Sequence, residues 1–223
     1  MSAPAIELRG VGLTYPSTPP VAALRDIELV VPAGAFVAVT GPSGSGKSSL
    51  LSVLGLLERP SAGAYRLDGI DTGSLDQRGR AGLRATRLGF VFQAFHLLET
   101  RTAVANVELG LLYGPSPRSG RRQRALAAVD AVGLTHRRWA TPRSMSGGER
   151  QRIAIARALV REPTVLLADE PTGNLDSVST EGVLALLDQV HRAGQTVVVV
   201  THDEAVAARA ERRVAMVDGT LTG

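Results

Sequence analysis

The sequence predicts an α/β fold in a single 223-residue domain: a mostly parallel sheet core with a small antiparallel β layer and an inserted α-helical subdomain. Three observations predict it. Five short apolar runs separated by polar or glycine-rich turns read as strands buried on both faces. Two segments ahead of the first run alternate apolar and polar residues, as strands with one wet face do. Between the second and third runs a long stretch keeps helical periodicity and offers no convincing strand.

In chain order, Ile6–Tyr15 and Ile27–Val31 are expected as antiparallel strands, with Ala64–Leu67 a third before the turn Asp68-Gly69. The buried runs are Phe36–Thr40, Leu88–Phe92, Val165–Ala168, Val197–Val200 and Val214–Val217. Residues 94–161 form the inserted helical subdomain, and 1–93 with 162–223 form the core and its β layer. Helices are expected over Ser49–Leu57 and Arg150–Val160; in the second, Ile153, Ala156 and Val160 share one face and Arg150, Arg157 and Arg161 another. Inside the insertion, Ala125, Leu126, Ala128, Val129 and Val132 form an apolar stripe opposite Arg121, Arg122 and Arg124, which read as a solvated helix face. Pro115–Gly120 reads as a surface loop. Asp218-Gly219 closes the last strand, and no appended regulatory domain is expected after it.

Composition narrows the function before any motif does. Hydrophobic residues at 44% and charged residues at 21% are ordinary globular values. Cysteine is absent, which excludes disulfides, thiolate nucleophiles and cysteine metal sites. Of 25 basic residues, 24 are arginine and one is Lys47, yet the formal net charge is only +4, so no nucleic-acid partner is expected. No stretch approaches the roughly twenty apolar residues of a membrane span, so no direct membrane insertion is expected and any membrane role belongs to a partner.

The strongest local signal is Gly41-Pro42-Ser43-Gly44-Ser45-Gly46-Lys47-Ser48, which follows the strand Phe36–Thr40 and opens an apolar helix. This is a P-loop in its proper context, and the expected core is of the P-loop (RecA-like) kind. Its glycines let successive N–H groups face inward, the helix N-terminus adds partial positive charge, Lys47 reaches the terminal phosphates and Ser48 ligates Mg²⁺. Gly41, Ser43, Gly44, Ser45, Gly46, Lys47, Ser48 and Ser49 are therefore candidate nucleotide contacts, for a nucleoside triphosphate. An arginine would not replace Lys47, because a planar fork does not fit a cradle built for a point charge.

The buried run Thr164–Ala168 ends in Asp169-Glu170, where strand ends of a parallel sheet face the ligand crevice. One acid can hold Mg²⁺ through its water, and the next can take a proton from the attacking water. Two acids at a strand end are more often solvated or helix-capping when they stand alone; the P-loop upstream reverses those odds. Ser146-Gly147-Gly148-Glu149 leads into a helix and offers a second anion-ready N-terminus, although a plain N-cap reads the same way in isolation. Gln93 and His202 each end a strand.

Together the P-loop, Gln93, Ser146-Gly147-Gly148-Glu149-Arg150-Gln151-Arg152, Ala168-Asp169-Glu170-Pro171-Thr172-Gly173-Asn174-Leu175-Asp176 and His202 resemble, in order and spacing, the ABC-type ATP-binding domain, specifically the LolD/MacB/FtsE group. The resemblance covers essentially the whole chain. It implies an ATP hydrolase with ATP and Mg²⁺ as cofactors and Ser48, Gln93 and Asp169 around the metal. Catalytic roles fall on Lys47, Gln93, Glu170 as general base and His202 as a γ-phosphate contact. Tyr15 would stack on adenine, against the alternative that it only packs in the β layer. Ser146, Gly147 and Gly148 would act on ATP held by another subunit, with Asp176 lining the interface.

The resemblance also implies a second copy of the chain in a head-to-tail dimer and a separate integral membrane permease of the MacB/LolC/FtsX type. It places the chain peripherally at the cytoplasmic face of the inner membrane, in export or in lipoprotein, peptide or drug extrusion. Two alternatives stay open: an FtsE-like ATPase that works a cell-wall hydrolase through its permease, and a non-transport ABC ATPase. Departures are small. Met145 stands where leucine is usual, Glu149 where many members have glutamine, and 97–102 lacks a proline often found there.

Overall fold

The computed structural model describes residues 3–112 and 119–222, in which two sheets pack face to face among seven helices. The first sheet is antiparallel, built from β1 (Ile6–Tyr15), β2 (Val21–Val31), β4 (Ala62–Leu67) and β5 (Ile70–Asp71) in the order β2-β1-β4-β5. Ile6 and Leu8 point inward, and Gly10, at φ 58°, inserts an extra residue so that Val11 and Leu13 return to the buried face. Opposite, Asp26 at φ 47° does the same between Leu24 and Ile27. That bulge breaks the alternation, which is why the strand expected over Ile27–Val31 in fact starts at Val21.

The second sheet contains β3 (Phe36–Thr40), β6 (Leu88–Val91), β7 (Val165–Asp169), β8 (Thr196–Thr201), β9 (Arg212–Val217) and β10 (Thr220–Thr222). Its order is β10-β9-β3-β8-β7-β6, parallel throughout except for the edge hairpin of β9 and β10 around Asp218-Gly219. The valine and leucine runs are continuous because the sheet is covered on both sides. Val37, Val39, Leu167, Val198 and Val200 face the antiparallel layer and α1 (Lys47–Leu54). Phe36, Leu166, Ala168, Val197 and Val199 face the other helices. The helix expected at Ser49–Leu57 stops at Leu54; Gly55 backs onto Phe90, where a Cβ would lie 2.6 Å from the ring.

The remaining helices are α2 (Gln77–Arg87), α3 (Ala103–Leu109), α4 (Arg121–Ala131), α5 (Gly147–Leu159), α6 (Ser177–Arg192) and α7 (Glu204–Ala207). Short 3₁₀ turns at Thr135–Arg137 and Pro142–Ser144 join α4 to α5. Buried Asn106 pins the chain entering α3, accepting from the Leu98 N–H at 2.7 Å and donating to the Leu98, Arg101 and Thr102 carbonyls. Val104, Val107, Val129 and Ile153 of α3, α4 and α5 share one apolar cluster with Val91 and Leu166 of the sheet, so these three helices are packed onto the core.

The stripe on α4 is buried at Ala125, Val129 and Val132, with Leu126 and Ala128 half-buried against the same cluster. Its arginine face is more than solvated: Arg124 donates to the Val160 carbonyl at 3.0 Å and Arg122 lies over Trp139, 5.0 Å from the ring centroid. On α5 the arginine face also turns inward. Arg157 donates to the Phe95 carbonyl at 2.7 Å, and Arg161, two residues past the end of the helix, donates to that of Ala85 at 2.6 Å. Most of the loop expected over Pro115–Gly120 lies outside the described residues.

Candidate ATP site

β3 runs into the Gly41–Gly46 loop and α1 starts at Lys47, so the helix N-terminus and the loop amides face one cleft. Gly41, at φ 158°, backs onto β9: a Cβ there would collide with the Met216 carbonyl. Gly44, at φ 80°, has no heavy atom within 4 Å of its missing Cβ, which leaves the front of the loop open to a ligand. The loop is braced from behind by the β9–β10 turn, where the Gly219 N–H donates to the Ser45 carbonyl at 2.9 Å and the Arg25 N–H to the Gly219 carbonyl at 2.7 Å.

The cleft has a volume of about 1060 Å³. Ser43, Gly44, Gly46, Lys47, Ser48 and Ser49 line it from the loop and α1, and Gln93, Asp169, Glu170 and His202 line it from the carboxyl ends of β6, β7 and β8. Gly41 and Ser45 shape the loop from behind. Lys47 Nζ donates to the Gly41 and Pro42 carbonyls, each at 2.7 Å, so its charge is held at the loop.

Burial raises the Asp169 carboxyl above its ordinary range, the neighbouring Glu170 charge raises it further, and Lys47 opposes both. Glu170 sits at φ 44°, a left-handed conformation unusual for a side-chain-bearing residue. Its Oε2 accepts from Thr201 Oγ1 at 3.1 Å, and its Oε1 from the His202 N–H at 3.1 Å and His202 Nδ1 at 2.6 Å. A carboxylate accepts, so the imidazole proton of that last bond sits on Nδ1. Gln93 and Asn174 hold each other: Nε2 of Gln93 meets Asn174 Oδ1 at 3.3 Å, and Asn174 Nδ2 donates to the Gln93 carbonyl at 3.0 Å.

Tyr15 stands beside the cleft, half-buried on the core, with its hydroxyl 3.5 Å from Ser49 Oγ. Ser146, Gly147, Gly148 and Asp176 do not reach this cleft. Ser146 caps α5, accepting from the Glu149 N–H at 3.1 Å while Glu149 accepts from the Ser146 N–H at 2.9 Å, a reciprocal capping box. Burial would raise the Glu149 carboxyl, but the Ser146 N–H and Arg137 together hold it below its usual range. Gly147 and Gly148 pack against Leu175 and Ser179, where a Cβ on Gly148 would lie 2.9 Å from the Ser179 side chain. Asp176 caps α6, accepting from the Ser179 N–H at 2.9 Å and its hydroxyl at 2.8 Å, bonds that hold its carboxyl low.

Sequence reasoning missed Thr201, Asn174, Arg25 and Gln151. Gln151 is fully buried on α5 and donates to the Pro171 carbonyl at 2.6 Å, tying that helix to the segment after Glu170. Asn174 lies within the Ala168–Asp176 run and Thr201 directly precedes His202, and that adjacency is the available signal.

Among the described residues no group of three or more His, Asp or Glu could hold a metal alone, and no helix is long and apolar enough to cross a membrane. The ABC transporter family model matches residues 24–173. The macrolide export ATP-binding/permease protein MacB of Rhodospirillum rubrum is 50% identical over 219 residues, covering 98% of this chain and 34% of that protein. The chain thus spans about a third of the length of such relatives. An uncharacterized ABC transporter ATP-binding protein of Bacillus subtilis, YvrO, is 50% identical over 198 residues, 89% of this chain and 86% of its own length. A dimeric ATP-binding cassette in a post-hydrolysis state, bound to ADP and Pi, superposes with a TM-score of 0.87 at 40% identity, covering 98% of this chain and 97% of that one. The chain, with its phosphate loop and strand-end acids around one cleft, belongs to the ABC transporter family as one of its ATPase cassettes.

Proposed function

We propose that two copies of this chain close head to tail around two Mg-ATP molecules and that closure and reopening drive a separate membrane permease of the export type. One observation carries the reading: Lys47, Ser48, Gln93, Asp169, Glu170 and His202 share one cleft, whereas Ser146, Gly147 and Gly148 stand outside it on the same chain. A site with every part needs the second copy. The relatives named as export ATP-binding/permease proteins support the export reading, and a permease partner sets the cassette peripherally on the cytoplasmic face of the cell membrane.

In that assembly the loop amides, the α1 N-terminus and Lys47 bind the phosphates, and Tyr15 stacks on the base. Ser48, Gln93 and Asp169 offer hard oxygen donors to the same cleft, and the half-buried charge at Asp169 fits a divalent cation. A Mg²⁺ ion held by these residues would supply positive charge to offset that of the phosphates. Glu170 accepts the proton of the attacking water, its Oε2 keeping a lone pair beyond the Thr201 bond, and His202, once it leaves Oε1, reaches the γ-phosphate. Ser146, Gly147 and Gly148 complete the other copy's site with a second helix N-terminus, and Asp176 lines the shared interface. Residues 94–161 act as the arm that carries this segment, and a groove of about 700 Å³ among α2, β6 and α5 takes the permease.

The direct test is Glu170→Gln. It keeps the phosphate cradle and Asp169, so ATP still binds, while turnover falls by roughly 10²–10⁴-fold, the usual worth of a general base. Size-exclusion chromatography with Mg-ATP then shows an accumulated dimer; turnover near wild type rules Glu170 out as the base.

A further inference from the structure

α5 carries Ser146 at its N-cap and Arg157 in its last turn. The Arg157 guanidinium donates through Nη1 to the His96 carbonyl and through Nη2 to the Phe95 carbonyl at 2.7 Å. Both acceptor residues are left-handed, Phe95 at φ 59° and His96 at φ 49°, and neither is a glycine. Such a pair persists only where its surroundings over-determine it. Two turns back on α5, Arg150 lies over the Phe95 ring, 4.9 Å from its centroid, and His96 packs edge-on against Phe92 at 5.0 Å.

The clamped turn joins two sites. Gln93, two residues before Phe95, lines the ATP cleft. Phe92, His96 and Arg157 line the separate groove between α2, β6 and α5. A shift of α5 therefore moves the turn, and with it Gln93.

We propose that Arg157 is a positioning residue: its two hydrogen bonds lock the strained Phe95–His96 turn to α5 and so fix Gln93 at the ATP cleft. The proposal rests on Gln93 acting in that cleft, as argued above.

The test is amide hydrogen exchange and steady-state ATPase on the full chain. In Arg157→Met, exchange over residues 93–98 rises about tenfold or more while α5 residues 150–155 keep their protection. kcat falls about tenfold with KM for ATP within about twofold, because the phosphate cradle is untouched. Arg157→Lys, which keeps one donor, falls between. Adding His96→Gly to Arg157→Met restores part of kcat, since glycine adopts the left-handed conformation without a clamp; a guanidinium that only filled space would not be replaced this way.

Unchanged exchange over 93–98, or a loosening spread equally over α5, overturns the clamp, and Arg157→Lys decides it if Arg157→Met does not fold. A loosened loop with wild-type kcat, alongside an impaired Gln93→Ala, overturns the positioning role. If Gln93→Ala itself turns over normally, the reading of Gln93 has failed, and the exchange data still judge the clamp.

Discussion

Asp169 holds its charge where burial and Glu170 both disfavour it, so its carboxyl binds a proton more readily in the folded chain than in the unfolded one. The sign follows by linkage: stability contributed by that proton is present at low pH and lost as pH rises through the elevated folded value. At neutral pH the nucleotide-free protein bears the full cost. Asp169→Asn is therefore expected to raise the melting temperature of the nucleotide-free chain and to flatten its dependence on pH just above the usual carboxylate range, while abolishing Mg-dependent ATPase. A scan of melting temperature against pH checks it; an Asn variant less stable than the parent contradicts it. Tyr15 poses a different choice at the same scale, because its ring packs on the core and its hydroxyl meets Ser49. If it stacks on adenine, Tyr15→Ala weakens nucleotide binding by roughly 1–3 kcal/mol and Tyr15→Trp is nearly neutral. Calorimetry with a non-hydrolysable ATP analogue separates the readings, since equal affinity in Tyr15→Ala favours packing.

The Ser146 N-cap shows how one element serves fold and site together. Replacing Ser146 by Ala removes the acceptor for the Glu149 N–H and costs roughly 1 kcal/mol, whereas Ser146→Gly costs only a few tenths, differences that denaturant unfolding resolves. If both variants lose ATPase alike despite unequal stability, the hydroxyl has a role beyond the cap. Gly173 offers a test in the opposite sense. A Cβ there would lie 2.7 Å from Gln93 Nε2, the far end of a flexible side chain, so Gly173→Ala should displace Gln93 and lower kcat with little change in melting temperature. A fall in stability without a fall in kcat contradicts this.

The same elements explain what the sequence makes legible. Strands such as Val197–Val200 announce themselves because both faces of the sheet are covered, and the phosphate loop because its glycines, lysine and flanks are contiguous. The N-terminal half of β2 is hidden because the Asp26 bulge shifts its period, and α2 because its face is built from arginines that satisfy carbonyls, such as Arg80 on Leu56 and Glu58. The contacts of Glu170 with Thr201, 31 residues on, and of Gln93 with Asn174, 81 residues on, arise only when strand ends meet, so no local pattern reveals them.

For the whole molecule the question is whether each active site is shared, and the placement of the Ser146 segment outside its own chain's cleft makes the answer testable. Lys47→Ala destroys the cradle and leaves a working Ser146 segment. Ser146→Arg blocks that segment and leaves a working cradle. Each homodimer is expected to be inactive. In a mixed dimer one site combines both defects, while the other pairs the intact cradle of the Ser146→Arg chain with the intact segment of the Lys47→Ala chain. One whole site returns. Since Ser146 also caps α5, the melting temperature of Ser146→Arg is checked first, and the loss must exceed what destabilisation of the helix explains. ATPase measured on a titrated mixture then rises above both parents and peaks near equal proportions, provided one competent site fires without the other. A flat titration, with mixed dimers confirmed by differential tagging, means either that Ser146 acts within its own chain or that the two sites fire only together. Binding of a non-hydrolysable analogue tells these apart, because a shared site traps the mixed dimer even when hydrolysis needs both halves, and a site complete in one chain traps none.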